Sequence, residues 1–134
     1  MAERRDVTLA VEAGKVAEFR AATGLPRDDA ARFAPPTFPV VVEHAGPVFA
    51  DLLVERGIDL RRVLHGEERI DYPGGPLRVG EQLHGQMWIA GEESREGSES
   101  SLTLTSVRME LRRADGSTAV TVDRVLVVLE DQPL

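Results

Sequence analysis

Gly46-Pro47-Val48-Phe49-Ala50-Asp51-Leu52-Leu53-Val54-Glu55-Arg56-Gly57 is the stretch whose reading decides the fold. Pro47 suits the first position of a helix, where its missing N–H is no loss and its fixed φ already fits. Gly57 suits the position just past the end, where the chain turns left-handed. Between them Asp51 and Glu55 share one stripe, and Val48, Phe49, Ala50, Leu52, Leu53 and Val54 take most of the remaining circumference. A helix lying on a protein exterior carries less apolar surface than that. The stretch predicts a short, largely enclosed helix, roughly 15 Å long at the standard rise. The chain beyond it reads as strand after strand. The expected class is α+β, an antiparallel sheet curled round a helix.

Working outward, residues 7–11 (Val-Thr-Leu-Ala-Val) alternate and predict a short strand. Residues 12–23 predict a helix with Val16, Phe19 and Ala22 on its buried side and Gly24 as its stop. Residues 30–33 suit a single turn. Pro35, Pro36 and Pro39 each restrict the residue before them to extended backbone. Residues 34–43 are therefore expected as an extended run into the central helix. After that helix, residues 60–64 form a linker with room for one helical turn, and residues 64–72 read as a strand. Pro73-Gly74-Gly75-Pro76 is a turn.

Residues 83–90 alternate, with Leu83, Gly85, Met87 and Ile89 on one face and His84, Gln86, Trp88 and Ala90 on the other. The polar residues 91–100 predict an exposed hairpin tip. In residues 101–112 the apolar phase changes: Leu102 and Leu104 have one parity, Val107, Met109 and Leu111 the other. A β-bulge near Thr105-Ser106 would restore one apolar face. Asp115-Gly116 carries a hairpin signal. Residues 118–130 form the last strand, and its run Val125-Leu126-Val127-Val128-Leu129 suits burial on both faces.

Composition narrows function. The 134 residues predict one domain spanning 1–134. A net charge of −7 and a pI near 5.0 argue against nucleic acid and anionic membrane surfaces as partners. The absence of cysteine removes disulfides, thiolate nucleophiles and Cys-based metal sites, and is compatible with a cytoplasmic location. The charged start, Met1-Ala2-Glu3-Arg4-Arg5-Asp6, leads to no apolar run of signal-peptide length. No segment is apolar enough for a membrane-spanning helix. His44, His65 and His84 are not at helical metal-ligand spacing, so no metal or other cofactor is expected. No phosphate loop, dinucleotide fingerprint or nucleophile elbow occurs.

The densest chemical cluster is His65, Glu67, Glu68 and Asp71. Strict alternation would put His65, Glu67 and Asp71 on one face, either as an acid/base site or as a solvated strand face. Asp51 and Glu55 are either working carboxylates or the one wet side of the central helix. Phe49 and Trp88 suit a core or an interface better than ligand stacking.

Residues 34–41 (Ala-Pro-Pro-Thr-Phe-Pro-Val-Val), the apolar helix, residues 64–72 (Leu-His-Gly-Glu-Glu-Arg-Ile-Asp-Tyr) and residues 76–83 (Pro-Leu-Arg-Val-Gly-Glu-Gln-Leu) follow one another in an order that resembles the N-terminal half of MaoC-like dehydratases. The chain is most similar to the small non-catalytic subunit of heterodimeric actinobacterial 3-hydroxyacyl-thioester dehydratases. The resemblance implies a hot-dog fold, an antiparallel sheet wrapped round a long central helix, and an acyl-CoA or acyl carrier protein thioester as substrate. It also implies pairing, with a catalytic MaoC-like subunit or with a second copy.

Catalytic members carry a motif resembling Asp-x-Asn-Pro-x-His upstream of the helix. Here residues 23–38 contain no histidine, and nowhere does an Asp precede a His by five positions. No catalytic residue is therefore expected on this chain. The expected role is to wall an acyl tunnel with Phe49, Leu52, Leu53 and Trp88, with His65 and Glu67 as further substrate contacts. Two rival readings stay open at this point. One is a homodimeric hot-dog acyl-CoA thioesterase working through Asp51, Glu55 or Glu67; the other is a non-enzymatic acyl-thioester-binding module.

Overall fold

The computed structural model describes residues 3–98 and 100–130. Among these, the elements in chain order are β1 (Arg4–Ala10), α1 (Ala13–Ala22), a 3-10 turn (Phe38–Val40), α2 (Val41–Ala45) and α3 (Val48–Glu55). A second 3-10 turn (Leu60–Arg62) leads into β2 (Val63–Asp71), β3 (Gln82–Glu96), β4 (Ser101–Arg112) and β5 (Thr118–Glu130). The strands form one five-stranded antiparallel sheet in the order β1-β3-β4-β5-β2. β5 lies inside the sheet, as its apolar run requires, and β1 and β2 are the edges.

The helix that the opening stretch predicts is present, and its caps explain its length. Pro47 sits just before the first helical residue, and its carbonyl accepts the Asp51 N–H at 2.8 Å. At the far end Gly57 takes φ +83°, a conformation open to glycine at little cost. The Gly57 N–H then reaches Val54 O at 2.9 Å and the Ile58 N–H reaches Leu53 O at 3.0 Å. This pair of bonds is a Schellman termination. α1 ends in the same way, with Gly24 N–H on Ala21 O and Leu25 N–H on Arg20 O.

Leu52 and Leu53 are buried against the sheet, whereas Val48, Phe49 and Ala50 are half-buried and Val54 is 55% exposed. The helix is thus covered on one side instead of enclosed, because the sheet packs over a single face of it. Asp51 and Glu55 line the wet side, and the Glu55 carboxylate accepts from Arg5. On α1 the buried pair is Val16 and Ala17, with Phe19 half-buried edge-on to Phe38 at 5.5 Å; Ala22 is exposed.

Four local expectations need correction. Residues 38–45 are helical where an extended run is expected. Pro39 falls in the first turn of the 3-10 segment, where no amide is needed, and burial of Phe38 and Val42 outweighs the β preference of the valines. The segment expected as a hairpin tip is mostly strand: Gly91 to Glu96 pair with Ser106 to Ser101, and Glu99 lies outside the described residues. Its polar side chains are compatible with a ladder because the pairing groups are backbone.

The bulge is on β3, not β4. Ala90 is the extra residue between Ile89 and Gly91, opposite Val107 and Ser106. β4 therefore keeps its alternation, burying Thr103, Thr105, Val107, Met109 and Leu111 and turning Leu102 and Leu104 to the outer face. In β2 a second irregularity falls between His65 and Glu67. It moves His65 to the same side as Glu68 and Ile70, opposite Leu126, Arg124 and Val122, and turns Glu67 and Asp71 outward. Gly66 occupies the bulge, where an added Cβ would lie 3.0 Å from Val125 O and 3.2 Å from Val127 Cγ2.

Candidate functional site

The inner face of the sheet carries a charge in the middle of its apolar layer. On β5 the inward positions are Val120, Val122, Arg124, Leu126 and Val128, and Arg124 is 3% exposed. Burying a guanidinium is costly unless it is paired and hydrogen-bonded. Its partners come from three elements. α2 supplies Glu43 and β2 supplies Glu68, each ion-paired with Arg124. From β2 also comes His65, whose Nε2 accepts from Arg124 Nε at 3.2 Å and lies 3.5 Å from Glu68 Oε2. α3 contributes the Phe49 ring, 5.5 Å from the guanidinium carbon. Burial draws the Arg124 guanidinium down to about 10, which leaves it charged at neutral pH.

Tyr72, one residue past β2, donates its hydroxyl to Pro36 O. Burial, reinforced by the negative charge of Glu68, pushes the phenol up to about 12. The loop holding Pro36 is fixed by backbone bonds from Ala34 to Leu77 and from Val79 to Arg32, both 2.9 Å. The ionic cluster thus borders the start of α3 through Phe49, with Arg124 buried at its centre and the His65 side chain 52% exposed at its rim.

The end of α3 borders a different space. A cleft of about 430 Å³ runs between the α3 cap and the distal ends of β4 and β5, with Ile58, Arg62, Thr103, Thr105 and Val128 among its lining residues. Thr103 Oγ1 is 3.0 Å from Glu130 Oε1, to which it donates. Arg56 pairs with Glu92 at the mouth, 3.1 Å apart.

The residues expected from sequence divide between the two faces of the sheet. Phe49 and His65 meet at Arg124, and Leu52 and Leu53 pack beneath α3 in the core. Glu67 faces outward on β2. Trp88 also lies on the outer face, 7% exposed, with Arg4 stacked 3.9 Å above its ring. His44 and His84 are exposed. Among the described residues no group of three or more His, Asp or Glu is placed to hold a metal ion, and no helix is long and apolar enough to cross a membrane.

Sequence reading missed Arg124, Glu43 and Thr105. Arg124 had a usable signal: it is the one charge on the inward parity of residues 120–128. Glu43 had none, because its segment reads as extended. Thr105 was hidden by assigning the bulge to its own strand.

The order of elements, the sheet topology and the packing of α3 on its inner face define a hot-dog fold of the α+β class. Residues 2–122 match the family described as "FAS1-like, dehydratase domain region". The chain belongs to that family, the MaoC-like hot-dog dehydratases. Over 102 residues it is 38% identical to a UPF0336 protein of Thermobifida fusca (strain YX), a match spanning 75% of this chain and 62% of the relative. The chain therefore spans less than two thirds of that relative's length. Among solved structures it is similar to the C-terminally truncated HadBC (3R-hydroxyacyl-ACP dehydratase) complex of Mycobacterium tuberculosis, with TM-score 0.68, 19% identity and coverage of 95% of this chain and 94% of that one. It is also similar to the ChsH1-ChsH2 complex of Mycobacterium tuberculosis, with TM-score 0.71, 11% identity and coverage of 98% and 85%. At such identities these two likenesses concern the fold.

Proposed function

We propose that this chain is the non-catalytic, acyl-chain-binding partner of a catalytic hot-dog chain, together forming an (R)-specific 3-hydroxyacyl-thioester dehydratase or enoyl-thioester hydratase. The observation that carries this reading is the state of His65. It is the histidine that shares Arg124 with Phe49 of α3, and its Nε2 lone pair is engaged by the Arg124 guanidinium. Dehydration requires a base to take the proton from the α carbon and an acid to protonate the departing β hydroxyl. An imidazole used as an acceptor by a buried, doubly ion-paired arginine is committed to structure. The proton-moving groups then belong to the second chain, and the neighbours named as two-component complexes support such pairing.

In this role Phe49, half-buried above Leu52 and Leu53, forms one wall for the acyl chain, with His65 at its margin. Apolar lining suits a lipid tail because each buried methylene contributes about 0.8 kcal/mol. Trp88 and Glu67, on the outer face, lie away from that wall. The thioester is carried by CoA or by an acyl carrier protein.

The test is co-expression with a catalytic MaoC-like chain carrying Asp-x-Asn-Pro-x-His. The expected result is a stable complex that hydrates crotonyl-CoA, while this chain alone does not. Failure to associate with any such chain overturns the proposal. Turnover of crotonyl-CoA or hydrolysis of acyl-CoA by the purified chain alone, lost in Asp51→Ala or Glu67→Ala, also overturns it.

A further inference from the structure

Arg124 fixes more than the charge balance of its cluster. A guanidinium nitrogen has no lone pair to offer, so the 3.2 Å bond between Arg124 Nε and His65 Nε2 runs one way: Nε2 is bare and accepts. The proton of the neutral imidazole then sits on Nδ1, because the hydrogen bond at one ring nitrogen sets the state of the other. Glu68 Oε2, 3.5 Å from the same Nε2, faces a nitrogen with no hydrogen to give. Among the described residues nothing accepts from Nδ1, and the side chain is 52% exposed. His65 is thus a one-sided group, bonded to a buried cation through one nitrogen and offering an N–H on the other.

Its position is set by the register of β2. Strict alternation would put His65 on the face of Glu67; the slip at Gly66 brings it to the face of Glu68 and Arg124. Gly66 suits the slip because a side chain there would press on Val125 O and Val127 Cγ2, 3.0 and 3.2 Å from an added Cβ. The Phe49 ring meets the same guanidinium, so the apolar wall and the N–H donor are held by one group. Phe49 is half-buried, and His65 lies at the rim. An acyl thioester with its tail against Phe49 keeps its polar carrier in water, so the oxygen-bearing carbons beside the carrier lie at the rim. Two carboxylates share the one guanidinium, which leaves the cluster with an excess of negative charge. A neutral oxygen suits such a place, and a further carboxylate does not.

Taking the acyl-binding role proposed above as its premise, we infer that His65 binds the acyl thioester through Nδ1–H, donated to a neutral oxygen near the carrier end, either the thioester carbonyl or the 3-hydroxyl. The imidazole moves no proton in this role. It selects for oxygen at that position, because a plain alkyl chain leaves the N–H without a partner in the complex.

The experiment is calorimetric titration of the purified chain with three N-acetylcysteamine derivatives: the laurate thioester, the (3R)-3-hydroxylaurate thioester, and the S-dodecyl thioether, which lacks both oxygens. One net hydrogen bond predicts that an oxygen-bearing ligand binds the wild type about two- to ten-fold tighter than the thioether. A gain already present in the laurate thioester assigns the carbonyl; a gain confined to the hydroxy compound assigns the hydroxyl. His65→Gln puts its amide oxygen near the Nε2 position, so it keeps the Arg124 bond and loses the donor. The gain should vanish there, with thioether affinity unchanged. His65→Asn puts its amide N–H near the Nδ1 position and should retain the gain. A purely structural role predicts the reverse order, because Asn is the variant that breaks the Arg124 bond. Long-range proton–nitrogen correlation spectra of the wild type should show His65 protonated on Nδ1. Equal affinities, a gain that survives His65→Gln or is lost in His65→Asn, or a proton on Nε2 overturns the inference and leaves the acyl-binding role standing. Failure of all three ligands to bind overturns both.

Discussion

Beside the start of α3, Arg124 is buried at 3% exposure and meets Glu43, Glu68, His65 and the Phe49 ring. Beside the end of the same helix, Thr105 is buried at 0% exposure and its hydroxyl meets no partner among the described residues. Both side chains point inward from neighbouring strands of one sheet. One polar group is over-provided with partners drawn from α2, α3 and β2, and the other is sealed in without one. A buried group that three elements converge to satisfy is part of the scaffold. A buried group that none of them satisfies is a standing cost to the fold.

The most severe way to break this comparison is to remove the guanidinium. Arg124→Leu keeps an apolar side chain on β5 but leaves the Glu43 and Glu68 carboxylates without their cation. Breaking a buried pair from one side costs about 3–5 kcal/mol. Urea unfolding of the variant should show a loss of that size, reported by the single tryptophan, Trp88, on the opposite face. A loss below about 1 kcal/mol, the range of exposed ion pairs, would mean that the cluster is a solvated surface network.

Thr105→Val tests the other end, with the opposite sign. Replacing an unpaired buried hydroxyl by a methyl should raise stability by about 1 kcal/mol or more. A decrease of similar size would show that the hydroxyl has a partner in solution, which would make the two ends alike. The contrast in sign sharpens the comparison more than either magnitude.

These residues also show which parts of the molecule can be read from sequence. Pro47 and Gly57 mark the ends of α3 correctly because helix caps are local chemistry, decided within a few residues. Strand faces are not local. His65 and Glu67 have the same parity in the chain but lie on opposite faces, because the ladder with β5 slips at Gly66. The phase change in residues 101–112 was legible, yet its bulge belongs to Ala90 on the partner strand, and that choice put Thr105 inward. Glu43 depended on a helix formed by packing Phe38 and Val42 into the core, which local preference opposes. The fold was therefore legible from apolar periodicity and caps, while the buried polar cluster required register, a relation between strands that no single stretch encodes.

The smallest expected effect lies at the edge of the Arg124 end and can be read cleanly, because Tyr72 is the only tyrosine. Its phenol should ionise near 12 instead of the usual 10.0, first because it is buried and second because Glu68 is negative. The sign of the coupling to stability follows. Between those values the unfolded chain loses the proton while the folded chain keeps it. The stabilisation is complete below the unfolded value and is lost as pH rises through the folded one. Stopped-flow alkaline jumps, following phenolate absorbance before the chain unfolds, should place the midpoint near 12. Glu68→Gln removes the lesser cause and leaves burial, so the midpoint should fall only part of the way. A wild-type midpoint near 10.0 would mean that water reaches Tyr72. The boundary of the ionic cluster would then be open, and the contrast with the cleft at the other end of α3 would lose its basis.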